Sequence, residues 1–448
     1  MRVEPDDLAS RRRMALALWV ASCALRLGLA ARWDVLADEA YYWSWGQDPA
    51  LGYFDHPPLL AWLLAPWPPH ALAIRLPGWL ITSVGGGALV MTTPHPRTLA
   101  ALLAVLPPMW LWGTLATPDA PLLGLWMLAV AAATHGRWGA TAALTGLAAL
   151  AKYPGLALAA LAVTAPRLAT RRPSTWLGIA VAVAVVLPHA AWSFTSGHPS
   201  LWFQASHGLG GGPEVGVRWW GPLQLASQQL ALSGGLLGVA AAVALVRQRG
   251  SVAWWSAAPL LGVFGVASLR APTEANWLAP AWIGAALLLA EAAGSLRRVV
   301  QTGVWLTLLM SLLALAHVEW PLWPSPTDPA LRLQTGRSFA DTAAKFVVPA
   351  PGEPRRLVLT ERYQEASWLR WHHDVPAVVW SGCGRPNQLD SRPPANVGDE
   401  AWFVRPRTGG PPDCVLSDWS VVEQRSFREH TPDGRALGAW DVFLLRRP

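Results

Sequence analysis

The residues able to do chemistry in this sequence are gathered in a few short polar stretches set between long apolar runs. The first stretch reads Asp38-Glu39-Ala40-Tyr41-Tyr42-Trp43 and then Gly52-Tyr53-Phe54-Asp55-His56-Pro57-Pro58, so four carboxylates lie between residues 38 and 55 and His56 follows at once. The next reads Thr117-Pro118-Asp119-Ala120-Pro121, and Lys152, one of only two lysines in the chain, stands beside Tyr153. Later stretches supply His189, Trp192, His198, Gln204 and His207, then Arg270, Glu274, Asn276 and Trp277. Carboxylates can take a proton from a hydroxyl, and cations or N–H donors can hold an anionic leaving group. Each residue also has a plainer role. Asp38 and Glu39 can be the acidic first turn of a capped helix, and Asp119 after Pro118 can start one. His56 before two prolines can be a turn residue, and Lys152 can reach toward lipid headgroups. Trp43, Trp45, Trp219 and Trp220 read as membrane-interface anchors rather than sugar-stacking platforms. Ionisable groups at the mouth of an apolar bundle are costly unless solvated or used. Their joint occurrence, in order and on one face, favours a site.

The elements that must position these groups are membrane helices. The chain has 448 residues, of which 52% are hydrophobic and 14% charged, against about 25% charged in a typical soluble domain. So few charges cannot cover a soluble surface of that size, and disordered chains are poor in apolar residues. The 29 tryptophans fit a protein with membrane–water interfaces. Apolar runs at about 14–31, 72–91, 98–113, 121–134, 138–150, 154–166, 176–191, 222–246, 252–268, 275–292 and 299–317 make eleven candidate spans. Several are shorter than the roughly 20 residues of a full crossing.

Residues 318–448 hold 16 acids and 16 bases, whereas residues 1–317 hold 12 acids, 19 bases and the whole net charge of +7. This basic balance is not a nucleic-acid signature, because most of the arginines fall in short loops, where they set membrane orientation. With Arg11, Arg12 and Arg13 in the cytoplasm, every second loop carries Arg97, Arg137, Arg167, Arg171, Arg172, Arg247, Arg249, Arg297 or Arg298. The opposite loops carry Asp34, Asp38, Glu39, Asp48, Asp55, Asp119, Glu214 and Glu274. That arrangement requires two spans in 138–166, divided at Lys152-Tyr153-Pro154-Gly155; one crossing would misplace every later basic loop. An odd number of spans then puts the C-terminal part outside. The first run has no small-residue cleavage site and reads as a retained anchor.

The expected architecture is an all-α polytopic membrane bundle over residues 1–317 and a small extracytoplasmic α/β domain over 318–448. The latter opens on the Pro-rich linker Trp320-Pro321-Leu322-Trp323-Pro324-Ser325-Pro326. Strands are expected near 356–360, 375–380 and 440–445, with a helix over Glu361–Trp371. Cys23 lies in the first span, and Cys383 and Cys414 lie in the outer domain, either as a disulfide or as two free thiols.

The stretches Asp38–Trp43, Gly52-Tyr53-Phe54-Asp55-His56-Pro57-Pro58-Leu59 and Thr117–Leu122 resemble the hallmarks of bacterial GT-C glycosyltransferases, relatives of the protein O-mannosyltransferases and of the lipid A aminoarabinose transferase. Lys152-Tyr153, Pro188-His189-Ala190-Ala191-Trp192 and Glu274–Ala281 continue the likeness. Arg362–Ser367 and Arg385–Asp390 are similar to that family's tail, with Leu389 where an aromatic is more usual. The likeness is scattered over nearly the whole chain, and the first two motifs are the specific ones. It implies a GT-C bundle of about eleven transmembrane helices in the bacterial cytoplasmic membrane. It implies a sugar carried on a polyprenyl phosphate and passed with inversion, outside the membrane, to lipid A, another glycan, a lipid or a protein.

On that resemblance Asp38 is the general base, Glu39 orients the loop or binds substrate, and Asp119 faces the same cavity. Asp55 positions His56 or a sugar hydroxyl. His56, Lys152 and Arg270 hold the departing phosphate, with His56 where some relatives carry lysine, and Tyr153 and Asn276 complete the donor-binding set. Some GT-C enzymes use a divalent cation and others do not. Asp38 with Asp119 could hold one, but hard-cation sites take about six to eight oxygen ligands, so the reading is metal-independent, with the lipid-linked sugar as co-substrate and no nucleic-acid partner. A transporter or flippase of lipid-linked sugars would carry ionisable residues mid-bilayer on several helices, where this sequence has Arg26 alone. A non-catalytic binding subunit would not need an intact Asp38-Glu39 and Asp119.

Overall fold

A computed structural model describes residues 5–447 apart from 198, 210–215, 321, 323–327, 354, 383–384, 392–398, 408 and 432–433. His198, Glu214, Cys383, most of the Pro-rich linker and the side chain of His207 therefore lie outside the described residues. The chain is mostly helical and divides into two compact units. One comprises residues 1–31, 50–63 and 75–314, the other 32–49, 64–74 and 315–448.

In the first unit every predicted apolar run carries helix. The helices are Pro5–Ala30, Ala71–Val90, Pro96–Val105, Asp119–Thr134, Trp138–Ala151, Tyr153–Thr164 (3-10), Pro173–Thr195, Gly221–Leu232 with Leu236–Arg247, Val252–Ala267, Ala281–Glu291 and Arg297–Glu319. Among the described residues four of these are long and apolar enough to cross a membrane, and a bent pair makes a fifth. The others are 10–17 residues long. The Ala281–Glu291 helix is apolar all round, and each of its residues from Ala281 to Ala290 is buried. Pro173–Thr195 and Arg297–Glu319 do the reverse, exposing Trp176, Leu177, Leu187 and Phe194 on one and Trp305, Leu309 and Leu312 on the other. Apolar faces of that extent are untenable in water and natural in lipid. This is a multi-pass membrane protein.

Alanine and glycine let these helices approach closely, as membrane helices do. A Cβ on Gly139 would run into the backbone of Ser174, and one on Gly146 into Ala182. Arg26, the mid-span charge, donates to the Met109 carbonyl at 2.7 Å and to Cys23 Sγ at 3.1 Å, and its guanidinium lies 4.9 Å from the Trp19 ring centroid. Its charge is thus spent within the helix packing. A helix break stands at 152–155: Lys152 has extended backbone between two helices, because Pro154 has no N–H to donate and its ring clashes with the preceding turn. The 222–246 run departs from expectation. Gly234 and Gly235 both have positive φ, and the helices on either side meet at 116°. Two adjacent left-handed residues end a helix that the apolar pattern reads as continuous.

The second unit holds a six-stranded sheet of β1 (Leu357–Thr360), β2 (Val378–Trp380), β3 (Asp390–Ser391), β4 (Glu400–Pro406), β5 (Ser420–His430) and β6 (Ala436–Arg446), in the order β3-β2-β1-β4-β6-β5. The first four pair in parallel and β6 runs antiparallel to β4 and β5. Leu359, Trp380, Phe403, Val415, Trp419 and Phe443 form a core on it. Helices Arg332–Val347 and Tyr363–His373 pack on one another and on this sheet, and the short helix Ala37–Gly46 packs on Tyr363–His373. Trp43 and Trp45 are not interface anchors. Trp43 is buried edge-on against Trp371 at 5.1 Å and donates to the Trp67 carbonyl, and Trp45 is buried against Tyr41 and Tyr42. Aromatic packing, on a second helix for Trp43 and within its own helix for Trp45, holds them where the sequence alone shows only a loop between spans. Trp219 and Trp220 are exposed. Cys414 is disulfide-bonded and Cys23 is free and buried.

Candidate functional site

The first unit gathers three of the expected residues from three separate elements. Asp119 is the first residue of its helix, Lys152 is the extended break after Trp138–Ala151, and Asn276 lies in the tight turn Ala275–Leu278. Lys152 Nζ donates to Asp119 Oδ1 at 2.9 Å, and Asn276 Nδ2 donates to Asp119 Oδ2 at 2.9 Å. Asp119 is 4% exposed and Lys152 6%. Both carboxylate oxygens are thereby satisfied, and the pair is neutral as a unit. Lys152 does not snorkel: its ammonium is turned inward onto a carboxylate, which is the condition for burying either charge.

Asp55 and His56 are both buried in a tight turn where Tyr53 N–H donates to the His56 carbonyl. Gln204, on the Pro199–Leu209 helix, donates through Nε2 to the Asp55 carbonyl at 2.8 Å and approaches His56 Nδ1 at 3.4 Å. With Nδ1 as acceptor, a neutral His56 carries its proton on Nε2. Tyr153 Oη is 3.1 Å from His189 Nε2 and 2.6 Å from Ser200 Oγ, while His189 Nδ1 is 2.9 Å from the Leu51 carbonyl. A carbonyl can only accept, so His189 Nδ1 is protonated, Nε2 accepts from Tyr153, and Ser200 donates to Tyr153. The chain Leu51–His189–Tyr153–Ser200 pins the loop that carries Asp55 and His56. Gly52 in that loop has no room for a side chain, since a Cβ would meet the Trp192 ring. The Arg270 side chain is exposed and makes no hydrogen bond or ion pair among the described residues.

The second unit holds Asp38 and Glu39 on the Ala37–Gly46 helix. Glu39 is fully buried and its Oε2 accepts from the backbone N–H of Leu36 at 3.1 Å, so it caps its own helix. Asp38 is exposed, and Tyr363 Oη donates to its Oδ1 at 2.7 Å. The Tyr363 ring lies 4.6 Å from Tyr41 and beneath the Arg385 guanidinium at 5.6 Å, and Tyr41 Oη accepts from the Gln388 N–H at 2.7 Å. Arg362 pairs with buried Glu365, and Asn387 is tied to Asp390 and to the Leu389 N–H. The two tail motifs therefore build the support for Asp38. At the helix's N-terminal side Asp34 lies 3.5 Å from Arg337 and 3.6 Å from His372. Burial pushes the His372 imidazole below its ordinary range, against the opposing pull of Asp34.

Sequence reasoning named Asp38, Glu39, Asp55, His56, Asp119, Lys152, Tyr153, Arg270 and Asn276. It did not assign roles to Tyr363, Arg385, His189, Ser200 and Gln204, although the tail motif and the histidine-bearing stretch contain most of them. Among the described residues no three His, Cys, Asp or Glu side chains are grouped to hold a metal ion.

No family model matches the sequence. Over 286 residues the chain is 27% identical to the lipid A galacturonosyltransferase RgtD of Rhizobium johnstonii, a match covering 57% of this chain and 60% of RgtD. It thus spans about three fifths of that curated relative. Among solved structures, ArnT from Cupriavidus metallidurans bound to undecaprenyl phosphate is similar over 98% of both chains, with a TM-score of 0.57 and 17% identity. Apo ArnT from the same organism is similar over 95% of this chain and 97% of its own, with a TM-score of 0.57 and 16% identity. The chain has the ArnT fold. The resemblance to GT-C glycosyltransferases is borne out.

Proposed function

We propose that this chain is an inverting glycosyltransferase that moves a sugar from a polyprenyl-phosphate donor to a hydroxyl of lipid A, at the outer face of the bacterial cytoplasmic membrane. The observation that carries this reading is Asp38: an exposed carboxylate at the start of a helix, held in one orientation by the Tyr363 hydroxyl. Such a group can take the proton of an acceptor hydroxyl as that oxygen attacks the anomeric carbon. The C–O bond to the acceptor forms on the face opposite the departing phosphate, the anomeric C–O bond to phosphate breaks, and polyprenyl phosphate leaves. Arg270, exposed among the described residues, and His56, with a donor on Nε2, are the groups that stabilise the charge on that phosphate. Lys152 and Asn276 hold Asp119, and this buried triad, with Tyr153 and its partner His189, fixes the wall of the donor pocket. The step uses the protein's own groups.

Two facts support the substrate classes: the relative RgtD is named for transfer of galacturonic acid to lipid A, and the ArnT structure of the same fold holds undecaprenyl phosphate. The basic loops belong on the cytoplasmic side, with residues 318–448 outside. In support, Arg11, Arg97 and Arg297 line one cavity and Arg137 and Arg172 another, as loops on a shared face would.

Purified protein in nanodiscs, offered polyprenyl-phosphate galacturonic acid, aminoarabinose and mannose with lipid A, is expected to transfer one of them. Nuclear magnetic resonance of the product would show an anomeric configuration opposite to the donor's. Retention of configuration would contradict the single-displacement step. Hydrolysis without transfer to lipid A would contradict the acceptor.

A further inference from the structure

On the face proposed to be cytoplasmic, three segments far apart in sequence meet at one cavity of about 540 Å³ lined by Arg11, His95, Arg97, Thr98, Arg297 and Gln301 among others. We infer that this cavity is a binding site for the phosphodiester headgroup of an anionic phospholipid. Orientation in the membrane requires only that these arginines be on the right side; it does not require residues 11, 97 and 297 to converge. No acidic side chain lines the cavity. Asp7, just outside it, pairs with Arg11. The Arg97 and Arg297 side chains are exposed and make no hydrogen bond or ion pair among the described residues, although the Arg97 charge also acts on Asp7. Positive charge in excess of one pair is therefore left facing a concave space of the size ligand pockets have. Guanidinium groups match phosphate oxygens in fork geometry. The helices Pro96–Val105 and Arg297–Glu319 also begin at the cavity, adding their positive ends.

The position of the cavity selects a lipid over a soluble phosphate. On the Pro5–Ala30 helix, Met14 and Leu18 follow Arg11 within two turns and are exposed. On Arg297–Glu319 the exposed Trp305 and Leu309 follow Arg297 within about three and a half turns. A headgroup in the cavity would leave its acyl chains lying along these apolar faces. Basic pockets between transmembrane helices on the cytoplasmic side hold such headgroups. The inference rests on the proposed membrane orientation and not on the catalytic step.

The test is native mass spectrometry of the purified full-length protein with added cardiolipin, phosphatidylglycerol or phosphatidylcholine. It would compare wild type, Arg97→Gln/Arg297→Gln, and Arg249→Gln as a basic-loop control outside the cavity. Both cavity arginines are exposed, so the double variant leaves no buried group unpaired, and its melting temperature serves as the check on folding. The expected result is retention of cardiolipin or phosphatidylglycerol over phosphatidylcholine by wild type and the control. In the double variant that retention weakens by roughly tenfold or more. Equal retention by the double variant, or no preference for anionic lipid, would overturn the inference. Calorimetry with inorganic phosphate separates the sources: phosphate binding lost in the double variant, without lipid retention in wild type, would replace the lipid by a soluble anion.

Discussion

At the scale of single residues, burial separates the carboxylates. Asp119 and Lys152 form a buried pair completed by Asn276, and removing one member of such a pair leaves a desolvated charge. Lys152→Met is expected to destabilise the protein by about 3–5 kcal/mol. The double variant Asp119→Leu/Lys152→Met should cost clearly less than the two single losses together, measured by thermal unfolding in one detergent. Additive losses would mean that the pair is not coupled. Asp38 is exposed instead, and the Tyr363 hydroxyl holds it. Tyr363→Phe is expected to lower kcat by about tenfold with KM little changed, the loss of one hydrogen bond to a charged group that matters as the proton moves. An unchanged kcat would remove Tyr363 from the positioning of Asp38. Asp38, Asp119, Lys152 and Asn276 were legible as candidates from residue type, whereas Tyr363 and Arg385 stood out only as parts of the tail motifs. Their pairing was not legible, because Asp119 and Asn276 are 157 residues apart and Asp38 and Tyr363 are 325 apart. The plain reading of Glu39 as a helix-capping acid also holds, and both it and a role in orienting the loop are served by one hydrogen bond.

At the scale of elements, the membrane helices were legible because lipid demands uninterrupted apolar runs. The helix break at Lys152 falls where loop charge places a division. The bend at Gly234–Gly235 was hidden inside a run that is apolar on both sides. Strand β5 was hidden for the opposite reason: it is exposed for most of its length and carries Glu423, Gln424, Arg425 and Arg428, so no apolar alternation marks it. The helix Ala37–Gly46 is too short to be stable alone and stands because its aromatic residues pack on Tyr363–His373. That contact should depend on pH through His372, which Asp34, Arg337, Asp341 and His373 surround. Its folded-state value is depressed, so the unfolded state binds the proton more readily. The stability it supports is present above the ordinary histidine value of 6.5 and lost as pH falls below it toward the folded-state value. Hydrogen exchange of residues 37–46 is expected to quicken as pH falls below 6.5 and to lose that dependence in His372→Gln. A dependence that persists in the variant would assign it to another group.

At the scale of the whole molecule, two compact units are each interleaved with the other in sequence. Residues 32–49 and 64–74 belong with the C-terminal sheet, and residues 50–63 belong with the helices. The segment that carries Asp38 and the segment that carries Asp55 and His56 are thus assigned to different units although few residues separate them. A reading by sequence blocks places both in one loop, since nothing in local composition marks which packing partner each segment will take. The proposed mechanism rests most heavily on Asp38. The direct measurement is the initial rate of sugar transfer to lipid A by wild type and Asp38→Asn in nanodiscs, with donor binding measured in parallel. The variant is nearly isosteric and keeps an oxygen for Tyr363. The expected outcome is donor bound as in wild type and a transfer rate lower by about 100-fold or more. Transfer at the wild-type rate by Asp38→Asn would contradict the assignment of the base.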